Sequence, residues 1–173
     1  FNKVANPSDK PKCIIVSLAN TAPLSVDYNF TLSSNKDTIV SALANLKKLT
    51  EGKLFVAVNP GEFDYLSDLD FVDVIQVEGP HPAGNVGVQI HHLAPINAGE
   101  RVWVVNPEDV VNIGALFTTG EFSAQRTVAL VGSSVGTPQY YKATIGASIA
   151  ALLEGAKIDN AQPNRYINGD VLT

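Results

Sequence analysis

The residues of this chain best placed to do chemistry cluster around one turn. Gly79-Pro80-His81-Pro82-Ala83-Gly84-Asn85-Val86-Gly87 holds one histidine, and two more, His91 and His92, follow it. His81 stands between two prolines, which stiffen the backbone on both sides and fix where its ring can go. Of the three it is the best candidate to touch a ligand or partner. His91 and His92 are adjacent, so on a helix they point about 100° apart and cannot chelate a metal as an i, i+4 pair would. They read as partly buried, hydrogen-bonded side chains. Gly84-Asn85-Val86-Gly87 opens a helix, and its backbone N–H groups could receive an anion or a ligand carbonyl; spacing alone favours a plain tight turn. With one cysteine and no H-x-x-x-H motif, a zinc or iron–sulfur site is not expected. Cys13 lies in an apolar run and reads as a buried hydrophobe rather than a reactive thiol. Glu62, Asp64, Asp68 and Asp70 read as a solvated face, and Trp103 as core. No Ser–His–Asp arrangement can be argued from this spacing.

The elements that must position this turn follow from hydrophobic pattern. An apolar run, Val72 to Val77, precedes it, and Val88 to Leu93 reads as a short helix stopped by Pro95. A strand, a Gly/Pro turn and then a helix is how an α/β sheet presents a site at the carboxyl ends of its strands. Cys13 to Ala19 reads as a central parallel strand. Ser33 to Thr50 reads as a helix with Ile39, Val40, Leu43, Leu46 and Leu49 in one stripe, capped by Ser34 or Asn35 and ended by Gly52. Leu54 to Val58 and Arg101 to Val105 are further strands. Asn106-Pro107-Glu108-Asp109 starts a helix, with an Asn cap, Pro at N1 and acids at the positive end of the dipole. Val110, Ile113, Leu116 and Phe117 give that helix its predicted apolar face, and Gly120 its end. Strand and helix thus alternate, as in a three-layer, Rossmann-like α/β domain with a parallel sheet.

The pattern changes after Arg126. Thr127 to Val131 and Gln139 to Thr144 read as paired strands, and Ser148 to Gly155 as a short helix. Arg165 to Ile167 and Val171 to Leu172 read as a hairpin around Asn168-Gly169. This is a β-grasp-like outline. The expected organisation is a linker over 1–12, the α/β domain over 13–121 and a small β-grasp domain over 122–173.

Composition narrows the function. The chain has 173 residues and a formal net charge of −5, with its basic residues scattered, so nucleic acid is not an expected partner. No apolar run approaches the roughly 20 residues that span a bilayer. A dinucleotide-binding sheet needs glycines in its first strand-to-helix turn. Here no glycine precedes Gly52, and that turn is Asn20-Thr21-Ala22-Pro23-Leu24. No Walker A motif is present.

Several strings carry a family resemblance. They are Gly79-Pro80-His81-Pro82-Ala83-Gly84 followed by His91, Asn106 to Gly114, Leu116 to Glu121, Arg126 to Gly132, and the tail Tyr166 to Thr173. Together they resemble the A subunit of the bacterial sodium-translocating NADH:quinone reductase, over nearly the whole chain. The resemblance implies a Rossmann-like domain followed by a soluble-ligand-binding β-grasp domain, whose turns fit Gly132, Val135, Pro138, Gly146 and Leu152. Members of that family have further domains at both ends, so the chain looks like a central fragment of one.

The resemblance also implies a peripheral position on the cytoplasmic face of the bacterial inner membrane, docked on a membrane partner, the B subunit, and associated with quinone. The complex uses FAD, FMN and iron–sulfur centres and exports sodium. The flavin-binding subunit of respiratory complex I and its relative in the Rnf complex share the fold, but they carry glycine-rich loops that this chain lacks. No flavin or NADH is therefore expected on the fragment, which by itself should be inactive. His81, Gly84, Asn85 and His91 are the expected quinone or partner contacts. The alternative is a structural docking module with no ligand. An independent nucleotide-dependent dehydrogenase is the weakest reading, given the glycine-poor first turn.

Overall fold

The computed structural model describes residues 4–172. Two compact units divide the chain: Phe1–Thr21 with Tyr28–Phe122, and Ala22–Asp27 with Ser123–Thr173. In the first, β1 (Cys13–Ser17) leads through a short α1 (Tyr28–Thr31) and a 3-10 turn (Ser33–Asn35) to α2 (Lys36–Lys47). Then come β2 (Lys53–Val58), a 3-10 turn (Asp64–Asp68), β3 (Asp73–Gln76), α3 (Val86–Leu93), β4 (Val102–Val105) and α4 (Pro107–Thr119). The strands form one parallel sheet in the order β3-β2-β1-β4. Ile15 lies opposite Phe55 on one side and Val104 on the other. The predicted α/β class, parallel strands and helices are all present.

Alternation along β1 divides the core between the two faces of the sheet. Ile14, Val16 and Leu18 pack with Ile39, Leu43 and Leu46 of α2 and Val110 of α4. Cys13 and Ile15 pack on the other face with Phe55 and with Val86, Ile90 and Leu93 of α3. Each fully buried Leu, Ile or Val contributes about 1.5–3 kcal/mol relative to exposure. Cys13 is one of these apolar groups, and burial pushes its thiol pKa up against the opposing effect of Lys12.

The face of α4 differs from the one expected. Val110 is buried, but so are Asn112 and Gly114, while Leu116 and Phe117 are exposed. The reason is close helix packing. A Cβ on Gly114 would stand 2.1 Å from the carbonyl oxygen of Thr38 in α2, so only glycine lets the two helices approach. Caps differ too. Asn106 holds the N-cap position with extended backbone, but its side-chain amide donates to Asp109 Oδ2 at 3.0 Å instead of capping an N–H. Gly120 does end α4, in the left-handed region at φ 76°. Gly52 does not end α2, which stops at Lys47. It admits Lys12, whose carbonyl would lie 1.9 Å from a Cβ there.

Of the segment read from sequence as linker, residues 9–12 are tied to the amino edge of the sheet and residues 4–8 are exposed; residues 1–3 lie outside the described residues. Pro11 is buried, and its carbonyl accepts a 2.8 Å hydrogen bond from Thr50 Oγ1. Arg101 pairs with Asp9 at 2.9 Å. Lys12 donates to Glu100 Oε2 at 2.8 Å and to the Pro95 carbonyl at 3.0 Å.

In the second unit, β5 (Gln125–Leu130) and β6 (Gln139–Thr144) pair antiparallel, with Gln125 opposite Thr144 and Leu130 opposite Gln139. A short α5 (Ile149–Leu153) follows, and Val135 bridges Ile158. The predicted final hairpin is not formed. Arg165–Ile167 and Val171–Leu172 carry no ladder, although Asn168-Gly169 does bend the chain, with Gly169 at φ 118°. Apolar runs of two or three residues give too few cross-strand pairs to hold a hairpin by themselves. Thr173 lies outside the described residues.

Candidate functional site

The site is built where β1 and β2 leave the sheet. The N–H groups of Leu18 and Ala19 both donate to the Ala57 carbonyl, at 2.8 and 2.9 Å, so the chain bends as the ladder ends. Asn20 and Asn59 then lock the two strand ends together. Asn20 N–H donates to Asn59 Oδ1 at 3.1 Å, and Asn59 Nδ2 donates to the Asn20 carbonyl at 3.2 Å. Ala19, Ala57 and Val77 form a small buried cluster against which Ala83 packs. Alanines here keep the sheet end flat enough for the turn after β3 to lie on it.

That turn folds tightly on itself. Ala83 N–H donates to the Pro80 carbonyl at 3.0 Å and Asn85 N–H to the Pro82 carbonyl at 2.8 Å. Gly79 takes φ 125°, and the His81–Pro82 peptide is cis. Gly84 meets the turn after β1: its N–H donates to Thr21 Oγ1 at 2.8 Å. His81 Nδ1 lies 3.4 Å from the same hydroxyl. Thr21 thus gathers Gly84 and His81 on one oxygen.

Gln89 of α3 completes the latch. It is buried, and its Nε2 donates to Ser17 Oγ at 3.0 Å and to the Gly84 carbonyl at 3.1 Å. Its Oε1 is buried without a partner. Flipping the amide would set two oxygens, Oε1 and the Gly84 carbonyl, against each other, so the orientation is fixed by the turn.

The expected site residues are therefore placed unequally. His81 is half-buried and touches Thr21; Gly84 is held at the sheet end; Asn85 is exposed at the start of α3. His91 is exposed on the last turn of α3, about 9 Å along the helix axis from Asn85. Its ring packs edge-on against His92 with centroids 5.1 Å apart. Thr21, Ser17 and Gln89 were missed from sequence. The Thr21–Gly84 and Ser17–Gln89 pairs are 63 and 72 positions apart, and nothing local marks them.

Two hollows lie elsewhere. One of about 370 Å³ sits beyond β2, between Asn29, Lys36 and Tyr65. The other, about 420 Å³ and mostly apolar, lies in the second unit, lined by Leu130, Val135, Ile149, Leu153 and Tyr166 among others. Among the described residues no group of three His, Cys, Asp or Glu side chains comes together, and no helix is long and apolar enough to cross a membrane.

Sequence comparison decides the family. Residues 1–122 match the family model described as the NqrA second alpha/beta domain, and residues 127–173 match that of the NQRA C-terminal domain. The chain belongs to the NqrA family. Its similarity to curated members is continuous. It is 38% identical over 173 residues to the A subunit of the Na(+)-translocating NADH-quinone reductase of Hahella chejuensis, covering 99% of the chain and 38% of that protein. It is 34% identical over 172 residues to the corresponding protein of Photorhabdus laumondii, again covering 99% of the chain and 38% of the relative. The Yersinia pestis relative, of the same name, is 36% identical over 173 residues, covering 100% of the chain and 38% of that protein. The chain thus spans about 38% of the length of these NqrA relatives.

Proposed function

We propose that this chain is the part of a peripheral NADH:quinone reductase subunit that docks on the membrane partner, the B subunit, on the quinone side of the complex. In this reading it binds neither NADH nor a flavin, and catalysis belongs to the assembled, sodium-translocating complex on the cytoplasmic face of the membrane. FAD, FMN and iron–sulfur centres are then held by other subunits. The observation that carries this is the seat of Gly84. In a dinucleotide-binding sheet the turn after β1 holds a pyrophosphate against its backbone. Here that turn faces its own chain: Gly84 N–H donates to Thr21 Oγ1, and a Cβ on Gly84 would stand 2.7 Å from Thr21 N. The contact leaves no room for a phosphate between Gly84 and Thr21.

What the filled turn leaves outward is a ridge. His81 and Asn85 stand on it, braced by Thr21 and Gln89, and offer polar contacts to a partner surface or a quinone carbonyl. His91 extends the same polar surface along α3. The test uses the intact complex. His81→Ala and Asn85→Ala together are expected to weaken retention of this protein in the purified complex or to raise the KM for quinone. Normal assembly with unchanged quinone kinetics would remove both residues from the reading. Calorimetric titration of the chain with NADH and FMN should give no heat of binding; saturable binding of either would return it to the dehydrogenase class.

A second reading, a docking module with no ligand of its own, is favoured by the exposure of Asn85 and His91. Titration with a short-chain soluble quinone separates the two. Saturable binding lost in the His81 and Asn85 variants supports a quinone contact, and no binding supports the docking module.

A further inference from the structure

The hollow beyond β2 has features that the docking role does not use. One side is Gly61 and Phe63 to Tyr65, just after β2, and the other is the connection from β1 into α2. It therefore sits outside the carboxyl ends of the strands, where open α/β sheets take ligands. Its volume of about 370 Å³ is that of a small-molecule site.

Phe63 shapes it. This residue is buried, yet its backbone is left-handed, φ 53° and ψ 36°. A non-glycine residue there costs about 1–2 kcal/mol. The strain is held by core packing and by Asn29, whose Oδ1 accepts the Phe63 N–H at 3.4 Å. Its effect is to turn the following Tyr65 ring toward the first turn of α2. The two rings meet edge-on with centroids 6.4 Å apart. Lys36 then extends over Tyr65, with its ammonium 4.5 Å from the ring centroid.

Two of the polar groups lining it, Lys36 and Asn29, have donors to offer. Lys36 forms no ion pair among the described residues, and its ammonium keeps its N–H donors. Asn29 lines the hollow too, and with its Oδ1 accepting the Phe63 N–H its amide NH2 is left as a donor. Ser33 donates its hydroxyl hydrogen to the Phe30 carbonyl at 2.8 Å. A cation and an amide NH2 beside an aromatic and aliphatic wall suit a carboxylate carried on a flat apolar body. One acid, Asp64, also lines the hollow. Its charge disfavours a dianion more than a monoanion.

We propose that this hollow is a binding site for a small monocarboxylate. The Lys36 ammonium and the Asn29 amide receive the carboxylate, and Leu32 and Tyr65 receive the apolar body. The site is separate from the Gly84 turn and does not depend on the docking role.

The test is an amide NMR titration of the full chain with sodium benzoate, its neutral counterpart benzamide, and sodium phosphate at pH 8. Benzoate is expected to give saturable shifts at Gly61, Phe63 and Asp64. Benzamide and the phosphate dianion should bind at least about tenfold more weakly. Lys36→Gln should weaken benzoate by about tenfold, while Asp64→Asn strengthens it by about two- to threefold. Both side chains are on the surface, so unchanged spectra elsewhere will show that the variants fold. Absence of saturable benzoate shifts, equal binding of benzamide, or full binding by Lys36→Gln would each overturn the proposal.

Discussion

Gly84 and Thr21 lie 63 positions apart in sequence, yet the backbone nitrogen of one donates to the hydroxyl of the other at 2.8 Å. A Cβ on Gly84 would stand 2.7 Å from Thr21 N and 2.8 Å from Thr21 Oγ1. Gly84→Ala should therefore destabilise the α/β unit by about 1–3 kcal/mol through overpacking. Thr21→Ala should cost about 0.5–1.5 kcal/mol for the lost hydrogen bond. Combining the two should not rescue stability, because the clash with the Thr21 backbone remains. Urea unfolding followed by Trp103 fluorescence, the single tryptophan and part of this unit's core, reports these differences. Rescue in the double variant would contradict the geometry.

The contact of α4 with α2 makes a parallel case. Gly114→Ala would place a Cβ 2.1 Å from the Thr38 carbonyl oxygen, and the expected loss is about 2–3 kcal/mol. Gly120→Ala meets no atom within 4 Å, but φ is 76°, so it should lose only about 1 kcal/mol. Thr38→Ser should relieve Gly114→Ala only in part, since it removes the Cγ2 methyl 2.7 Å away but leaves the nearer main-chain carbonyl. Equal losses at the two glycines would mean that helix separation, not backbone conformation, has been misjudged.

These glycines explain why some of the fold was legible and some not. β-branched runs such as Cys13–Ser17 and Leu54–Val58 mark buried parallel strands, because both faces of such a strand must be apolar. The helix pattern of α4 holds for Val110 and Ile113, which pack with the α2 side chains, and misleads for Leu116 and Phe117, because the close approach to α2 is made at Gly114, which carries little hydrophobic signal. Phe117, the most apolar-looking member of the expected face, is 64% exposed. At the site, Pro80, His81 and Pro82 advertised the turn. Thr21, Ser17 and Gln89, which hold it, did so only once the sheet order brought β1 beneath α3. The tail shows the reverse error: Asn168-Gly169 is a genuine bend, but its short flanks do not pair.

Gln89 joins three segments through one amide. Its Oε1 is a buried acceptor with no partner, which costs stability, while its Nε2 serves Ser17 and Gly84. Gln89→Met removes the orphan and both bonds while nearly keeping the volume. The net is expected to be a loss of about 1–2 kcal/mol, because the Gly84 carbonyl and Ser17 hydroxyl are left without their donor. A double-mutant cycle with Ser17→Ala should give a coupling of about 0.5–1.5 kcal/mol. A stabilised Gln89→Met would show that the orphan acceptor outweighs the latch.

At the amino edge, Lys12 bonds Glu100, and that bond, helped by the Asn97 N–H, holds the Glu100 carboxyl below its ordinary pKa of 4.5. A lowered folded-state pKa means that the contribution is present above the unfolded value and is lost as pH falls. The wild type and Glu100→Gln should therefore differ most in stability near neutral pH. The difference should shrink as pH falls through about 4.5 and below. Unfolding midpoints measured between pH 3 and 7 check this, and a gap that widens in acid would reverse the sign.

Tyr65 supplies the alkaline counterpart. Burial pushes its phenol up to about 12 from an ordinary 10.0. Between those values the unfolded chain loses the Tyr65 proton while the folded chain keeps it, so this residue's contribution to stability declines as pH rises from about 10 to 12. The difference between the 295 nm titrations of wild type and Tyr65→Phe should show one late ionisation near pH 12, and Tyr65→Phe should resist alkaline unfolding better. The Lys36 ammonium above the ring adds a control. Lys36→Gln leaves the ring buried, and since burial is the cause of the shift, the late step should persist. Its return to about 10 in that variant would mean that Lys36, rather than desolvation, sets the Tyr65 environment.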